Sequence, residues 1–156
     1  MYPILARPYR REDLSACLSL FDGNASPFFA PEERAEFQDH LNGLGPETPF
    51  LVLTQGGRVV VACGGLSLAP MLTPTRRSAS MSWGMVDRRM HGQGLGRRLT
   101  EARLALARRI PGLAELTLST SQHSRGFYER LGFTAERIIP GGFGPGLDRW
   151  DMIRRL

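Results

Sequence analysis

The feature that most constrains the fold of this chain is a glycine-rich turn in residues 85–99, between a predicted strand and a predicted amphipathic helix. Three glycines, Gly92, Gly94 and Gly96, alternate with larger residues there. Glycine has no Cβ, so the backbone of such a turn can approach a ligand closely. The helix that follows offers unpaired N–H groups and the positive end of its dipole. This arrangement favours a phosphate group as the ligand.

Two common phosphate-binding loops do not fit this turn. A P-loop requires a lysine after its second conserved glycine, and the sequence contains no lysine. A dinucleotide-binding fold requires Gly-x-Gly-x-x-Gly and an acidic residue at the end of the next strand. Here the spacing is Gly-x-Gly-x-Gly, and the next predicted strand, residues 113–119, is followed by Thr120 and Ser121. A glycine-rich loop without a ligand is the remaining alternative, since a single glycine motif is a weak signal.

The turn resembles the acyl-CoA pyrophosphate loop of the GNAT superfamily of N-acetyltransferases. The matching segment is His91-Gly92-Gln93-Gly94-Leu95-Gly96. It departs from the family at His91, where Arg or Gln is usual. Because most pyrophosphate contacts in the family come from backbone N–H groups, this departure weakens the resemblance only slightly. The resemblance implies that the cofactor-binding residues of this loop are His91, Gly92, Gln93, Gly94, Leu95, Gly96 and Arg97.

A second segment, residues 121–133, is similar to the GNAT pattern Asn-x-x-Ala-x-x-Phe-Tyr-x-x-x-Gly-Phe. The residues that match are Phe127, Tyr128, Gly132 and Phe133, whereas Ser121 and Ser124 stand where Asn and Ala are usual. Local physics alone predicts a short helix here, with Ser121 as its N-cap and Gly132 as a left-handed residue that ends it. The two motifs occur in the family's order, and the resemblance covers roughly residues 51–156, with a looser match before them.

The resemblance implies direct transfer of an acetyl group from acetyl-CoA to an amine, without a metal. Backbone N–H groups at Met85 and Val86 would stabilise the oxyanion, although both side chains also fit an ordinary core strand. Tyr128 would protonate the departing CoA thiolate and contact the cofactor; its alternative role is a core aromatic. Ser121 would contact the cofactor at the family's Asn position. His91 is left open between a phosphate contact and an exposed side chain without a role.

The general base is not evident, because the strand predicted over residues 78–86 contains no carboxylate. Its serines, Ser80 and Ser82, could order a water relay. The other candidates are Asp22, Glu32, Glu33, His123 and Asp148. Both glutamates fall in the first turn of a predicted helix, where carboxylates favour the helix dipole. Orientation of a partly deprotonated amine is the remaining alternative.

The length of 156 residues predicts one domain over residues 1–156, long enough to bury a substantial core. The net charge of +5 is carried by arginine, which favours polyanionic partners such as CoA. Nucleic acid is the competing partner, but the arginines occur as scattered pairs. Cys17 and Cys63 are expected to be buried thiols, and no zinc-ligand spacing is present. With no apolar run of membrane-spanning length and no signal-peptide pattern, the sequence predicts a cytoplasmic protein without a membrane contact.

The predicted element order is β-α-α-β-β-β-α-β-α-β-β. It fits the α/β architecture of the GNAT family, a mixed, mostly antiparallel sheet splayed between strands four and five with helices on both faces. Three predicted loops, residues 22–31, 69–77 and 140–148, are expected to line the acceptor site. The last is rich in Gly and Pro and is predicted to be irregular. The loops contain Phe28, Phe29 and Phe143.

The sequence therefore predicts an acetyl-CoA-dependent N-acetyltransferase that acts on a primary amine of a small molecule or a peptide. A CoA-binding module that has lost turnover is the alternative that the missing carboxylate supports. An arginine-rich nucleic-acid-binding protein is the third hypothesis. A homodimer is left open.

Overall fold

The computed structural model describes residues 2–28, 30–45, 48–69 and 76–156. Within these residues the strands are β1 (Ile4–Pro8), β2 (Phe50–Gln55), β3 (Val59–Leu68), β4 (Arg77–Val86), β5 (Leu113–Thr120), β6 (Thr134–Gly144) and β7 (Leu147–Arg155). The α-helices are α1 (Leu14–Phe28), α2 (Glu33–Asn42), α3 (Leu95–Arg108) and α4 (Arg125–Glu129). Short 3₁₀ turns precede α1 and follow β4, at Arg11–Asp13 and Arg88–Met90. The predicted order of strands and helices is confirmed.

The strands form one sheet in the order β1-β2-β3-β4-β5-β7-β6. The pairs β1–β2, β2–β3, β5–β7 and β6–β7 are antiparallel, whereas β4 and β5 run parallel. Pairing of β4 with β5 covers Arg77 to Ser80 on β4 and Leu113 to Thr117 on β5. β4 continues to Val86 and β5 to Thr120 beyond the paired residues. The predicted mixed, mostly antiparallel sheet is confirmed, and its strand order is consistent with the predicted splay between strands four and five.

The chain divides into two compact units, Met1–Leu66 with Trp83–Leu104 and Ser67–Ser82 with Ala105–Leu156. In the first unit, α1 and α2 pack on the face of the sheet that carries Cys63 of β3. The neighbouring residue Gly64 contacts Arg103 of α3. Successive residues of a strand point to opposite faces, so α1 and α2 lie on one face of this unit and α3 on the other. A single domain over residues 1–156 stays a prediction.

The prediction of a loop that begins at residue 22 is wrong, because α1 continues through Phe28. Gly23 and Asn24 are common turn residues. In the fold, Asn24 is buried and its Nδ2 donates to the carbonyls of Leu20 and Val86, each at 2.9 Å. The side chain therefore hydrogen-bonds a carbonyl of the preceding helical turn and a carbonyl at the end of β4, and the helix continues past it.

The prediction of irregular structure over residues 140–148 is also wrong. β6 extends to Gly144 and β7 begins at Leu147, because positive φ angles at Gly141, Gly144 and Gly146 turn the chain tightly. The hairpin is fixed by side chains of the second unit. Gln122 Nε2 donates to the Gly146 carbonyl at 2.9 Å, and Asp148 Oδ1 accepts from the Gly141 N–H at 3.0 Å.

The predicted short helix near residue 121 begins later than expected. Ser121 is not its N-cap: α4 starts after Ser124, and the Ser121 hydroxyl accepts from the His123 N–H at 3.2 Å. A serine that binds the backbone two residues on forms a turn in place of a helical cap. The predicted helix end is confirmed, since Gly132 has φ +91° and the Phe133 N–H donates to the Tyr128 carbonyl at 3.1 Å, as in a Schellman motif.

Candidate functional site

A bulge interrupts β4 immediately before the predicted oxyanion residues. Trp83 has φ +50° and is the one non-glycine residue with a positive φ in the described part of the chain. Two backbone hydrogen bonds join β3 and β4 near their ends, from the Ala69 N–H to the Ser78 carbonyl and from the Asp87 N–H to the Val61 carbonyl. Between these two bonds β4 contains one residue more than β3, as a β-bulge requires. A bulky residue in this conformation is strained by roughly 1–3 kcal/mol, and such strain is concentrated at functional sites.

After the bulge, β4 has one exposed residue, Gly84. Met85 beside it is only 5% exposed and lies in the core. The side chain of Met85 is thus an ordinary core residue. The Val86 carbonyl is already occupied, because Asn24 Nδ2 donates to it. The use of backbone groups at Met85 and Val86 stays a prediction.

Asp87 holds the turn that leads from β4 to the glycine loop. Its carboxylate accepts the Arg89 N–H at 2.9 Å and the Arg89 guanidinium at 2.9 and 3.2 Å. These hydrogen bonds lower the pKa of Asp87 below its ordinary value. The sequence interpretation missed both Asp87 and Asn24. Aspartate often accepts a hydrogen bond from the backbone N–H two residues further on, in an Asx turn. An aspartate directly after a predicted strand is the signal that could have identified Asp87.

His91 ties the loop back to the strand. Its Nε2 lies 3.0 Å from the Val86 carbonyl, and a carbonyl only accepts, so Nε2 carries the proton of this bond. The remaining nitrogen, Nδ1, accepts when the imidazole is neutral and donates when it is protonated. One nitrogen of His91 therefore bonds the protein itself, and the other is the nitrogen with which it could contact a ligand.

Two of the three glycines in the loop have a left-handed backbone. Gly92 and Gly94 have φ +79° and +80°, and a Cβ at either position would meet open space. Residues 91–94 are exposed. Gly96 differs, because it lies inside α3 and needs no left-handed conformation. The loop therefore exposes backbone, as a phosphate cradle requires.

Helix α3 begins directly after this loop. Its first helical hydrogen bond runs from the Arg98 N–H to the Gly94 carbonyl at 3.1 Å, so the N–H groups of the preceding helical residues have no acceptor within the helix. Leu95 is 4% exposed and can offer only its backbone. Arg97 is exposed and pairs with Glu101 at 2.7 Å. The predicted binding residues from His91 to Arg97 thus lie together in the first unit with Met85 and Val86.

Tyr128 and Ser121 lie in the second unit. Tyr128 is half-buried on α4 and makes edge contacts with Phe127 and Phe133, at ring-centroid distances of 5.0 and 5.8 Å. Phe133 is 1% exposed, so the ring is anchored in the core. Such an anchor fixes the ring's orientation whichever role its hydroxyl has.

Several candidate bases are held by structural contacts. Asp22 pairs with Arg34 at 2.7 Å, Glu33 accepts the Ala30 N–H at 3.2 Å, and Asp148 caps the β6–β7 hairpin. Glu32 and His123 are exposed.

The hydroxyl of Ser82, in contrast, is buried and has no hydrogen-bond partner in the part of the chain that the structure describes. Of the predicted acceptor loops, Phe29 and residues 70–75 lie outside the described residues, as does the side chain of Phe28. Phe143 is exposed on β6. Within the described ranges, no cluster of three or more His, Cys, Asp or Glu residues is placed to hold a metal ion. No helix among the same residues is long and apolar enough to cross a membrane.

Comparison with known proteins identifies the family. The model of the Acetyltransferase (GNAT) family matches residues 14–133. The chain belongs to the GNAT family. Its match covers β4, the glycine loop, α3 and the Tyr128 segment, so each of the two motifs singled out in the sequence falls inside it. No curated protein sequence matches the chain.

Solved structures show that this GNAT fold is widely shared at low sequence identity. A protein assigned as a phosphinothricin N-acetyltransferase has a TM-score of 0.81 at 21% identity, with 99% of both chains covered. The ribosomal-protein-S18-alanine N-acetyltransferase from Escherichia coli has a TM-score of 0.71 at 23% identity, covering 98% of this chain and 94% of that one. A protein from Salmonella typhimurium assigned as an acetyltransferase, whose structure contains acetyl-CoA, has a TM-score of 0.76 at 21% identity, covering 99% and 94%.

Proposed function

We propose that this protein is an N-acetyltransferase that transfers the acetyl group of acetyl-CoA directly to a primary amine. The observation that supports this most is the exposed backbone of the first unit. It has two exposed parts, Gly84 beside the bulge in β4 and the loop of residues 91–94, whose glycines Gly92 and Gly94 have positive φ. Membership of the GNAT family and the acetyl-CoA bound to a similar structure support the same co-substrate.

The residues of the first unit fit a CoA pyrophosphate. Gly92 and Gly94 leave space where any other residue would place a Cβ, and the start of α3 supplies N–H donors and the positive end of a helix dipole. The same segment contains three residues with polar side chains that are proposed to contact the pyrophosphate, His91, Gln93 and Arg97. Leu95 and Gly96 are proposed to contribute their backbone. Backbone groups at Met85 and Val86 are proposed to receive the thioester end of the co-substrate.

The proposed reaction begins with attack of a neutral amine on the thioester carbon. A C–N bond forms, and the carbonyl oxygen takes up the negative charge, which backbone N–H groups of β4 stabilise. The C–S bond then breaks and the carbonyl is restored. Tyr128 is proposed to give its proton to the departing thiolate and to regain one from the solvent, and Ser121 is proposed to contact the cofactor. The buried hydroxyl of Ser82 is proposed to order the water that accepts the amine proton.

A panel of primary amines, with release of the CoA thiol as the readout, tests the proposed function. Peptides with a free amino terminus, polyamines, amino acids and aminoglycosides cover the chemical classes of acceptor. Turnover with one class supports the proposal and names that class. Tight binding of acetyl-CoA with no thiol release from any amine would instead support the CoA-binding module, which the absence of a carboxylate from β4 favours.

The acceptor is proposed to be an amine-bearing small molecule or peptide, since the names of the solved relatives include both kinds. A cytoplasmic location and a homodimer remain predictions, which cell fractionation and light scattering of the purified protein test. Nucleic acid as the main partner receives no support from the family assignment.

A further inference from the structure

A buried arginine lies against the backbone of β4 at the proposed site. Arg103 of α3 is 4% exposed. A Cβ added to Gly84 would lie 2.6 Å from its Nη2 and 3.0 Å from its Nη1, and a Cβ added to Gly64 of β3 would lie 3.2 Å from its Cζ. The guanidinium thus occupies a slot that two glycines on neighbouring strands leave open.

The guanidinium in this slot places a permanent positive charge beside Gly84, the exposed residue of β4. An arginine stays protonated in proteins, and a charge in a buried position is screened far less than one in water. Gly84 directly precedes Met85, whose backbone is proposed to stabilise the oxyanion. A helix residue facing a sheet is normally apolar, so a long cation at this position is not required for packing.

The nearest titratable group on β3 is a buried thiol whose pKa several groups affect. Cys63 lies next to Gly64 on β3 and is completely buried. Burial and the nearby Cys17 raise the pKa of the Cys63 thiol, whereas the Arg103 charge acts in the opposite direction and favours the thiolate. The field of Arg103 therefore favours negative charge in this part of the first unit.

We infer that Arg103 is a positioning residue for the acetyl transfer, because its buried guanidinium, seated against Gly64 and Gly84, favours the two anions that form in turn beside β4. These are the oxyanion of the tetrahedral intermediate and the departing CoA thiolate. Arg103 acts through its charge and touches neither anion. The inference rests on the proposed function, and it supplies part of the electrostatic assistance for which residues 78–86 of β4 have no charged side chain.

Titration of the CoA thiol in the complex with CoA tests this inference without an acceptor. The thiolate is followed by its ultraviolet absorbance in the parent protein, in the neutral variant Arg103→Met and in the charge-conserving variant Arg103→Lys. Arg108→Met is the matched control, because it removes an exposed arginine from the same helix. Arg103→Gln provides a second neutral variant that keeps a polar side chain at this position.

At a given pH below the thiol's pKa, we expect the thiolate fraction of bound CoA to fall roughly tenfold in Arg103→Met, the size of effect that a unit charge several ångströms away exerts inside a protein. Arg103→Lys and Arg108→Met should stay near the parent. With an amine that the parent acetylates, kcat should fall by a similar factor in Arg103→Met, with the KM for acetyl-CoA little changed.

Equal titration in the parent and Arg103→Met would overturn the role of Arg103, as would a loss in Arg103→Lys as large as that in Arg103→Met, because the effect would then come from shape. A parent protein that does not bind CoA would overturn the proposed function itself. The two failures are therefore distinguishable.

Discussion

His91 illustrates how one side chain can serve a ligand loop without being the main ligand contact. The sequence left its role open, and the hydrogen bond from its Nε2 to the Val86 carbonyl indicates that it holds the glycine loop against the end of β4. We expect His91→Ala to raise the KM for acetyl-CoA roughly twofold to tenfold with kcat little changed, because one hydrogen bond contributes about 0.5–1.5 kcal/mol to uniform binding. Steady-state kinetics measure this effect.

His123→Ala is the matched control for this variant, because His123 is an exposed histidine and should leave both constants unchanged. An unchanged KM in His91→Ala would mean that the glycines and the Asp87 turn fix the loop without the imidazole.

Tyr128 offers the sharpest separation of a chemical from a structural role. In Tyr128→Phe the ring keeps its edge contacts with Phe127 and Phe133, so the melting temperature should barely change. If the hydroxyl protonates the CoA thiolate, kcat should fall by roughly 10²-fold, the low end for general acid catalysis, since a thiolate is a good leaving group. Tyr9→Phe is the control, because Tyr9 is also half-buried against a phenylalanine, Phe50. Normal kcat together with a large loss of stability would make Tyr128 a structural residue.

For single residues, the sequence predicted those whose role depends on their own backbone conformation. It missed those whose role depends on partners far away in the sequence. Gly94 and Gly132 could be identified because a tight turn and a helix end require a positive φ locally. Asn24 and Arg103 could not, since their contacts are with Val86 and with Gly64 and Gly84, which are far away in the sequence. Only the fold brings these groups together.

The glycine loop and α3 act as one element, and the conformations of Gly94 and Gly96 predict opposite effects for the same substitution. Gly94→Ala forces a Cβ onto a residue with φ +80°, which should lower both stability and affinity for acetyl-CoA. Gly96 is helical, so Gly96→Ala should keep or raise the free energy of unfolding, by up to about 1 kcal/mol. Thermal melts and acetyl-CoA titration of both variants measure these effects. Weaker binding in Gly96→Ala than in Gly94→Ala would show that the cradle lies within the helix rather than before it.

Helix α2 carries a half-buried histidine whose protonation should oppose folding. His40 packs against Phe50 and Trp83, at ring-centroid distances of 5.8 and 6.2 Å, and burial lowers its pKa below 6.5. The unfolded chain then binds the proton more readily than the folded one, so stability is complete above about pH 6.5 and is lost as the pH falls below it. Melting temperatures between about pH 7.5 and 5.5 should therefore fall more in the parent than in His40→Phe. Parallel curves would show that His40 makes no such contribution.

The element order was predictable because hydrophobic periodicity and turn residues are local signals. The two glycines between β2 and β3, Gly56 and Gly57, both have positive φ and are one example of such a signal. The misplaced boundaries share a cause: residues with strong turn preferences were assigned to loops. Tertiary hydrogen bonds from Asn24 in α1 and from Gln122 and Asp148 beside the β6–β7 hairpin keep these segments regular.

Over the whole molecule, the family could be recognised because its two motifs are short and contiguous in the sequence. The matched region, residues 14–133, extends beyond both. The acceptor could not be predicted in the same way, because acceptor recognition depends on loops whose side chains converge only in the fold. The relatives that share the fold at 21–23% identity have names with chemically different acceptors, so the fold alone does not select one.

The most general test of the assignment is the response of the whole fold to its proposed co-substrate. A ligand that binds only the folded state at a hundredfold excess over Kd adds about 2.7 kcal/mol to the free energy of unfolding. For a chain of this length, each kcal/mol raises Tm by about 2–4 °C, so saturating acetyl-CoA should raise Tm by roughly 5–10 °C. Free CoA should give a similar shift, because the pyrophosphate loop does not contact the acetyl group. Gly94→Ala should reduce both shifts together, whereas Tyr128→Phe should leave them intact. A parent protein whose Tm does not respond to millimolar acetyl-CoA would contradict the assignment of the loop and of the enzyme alike.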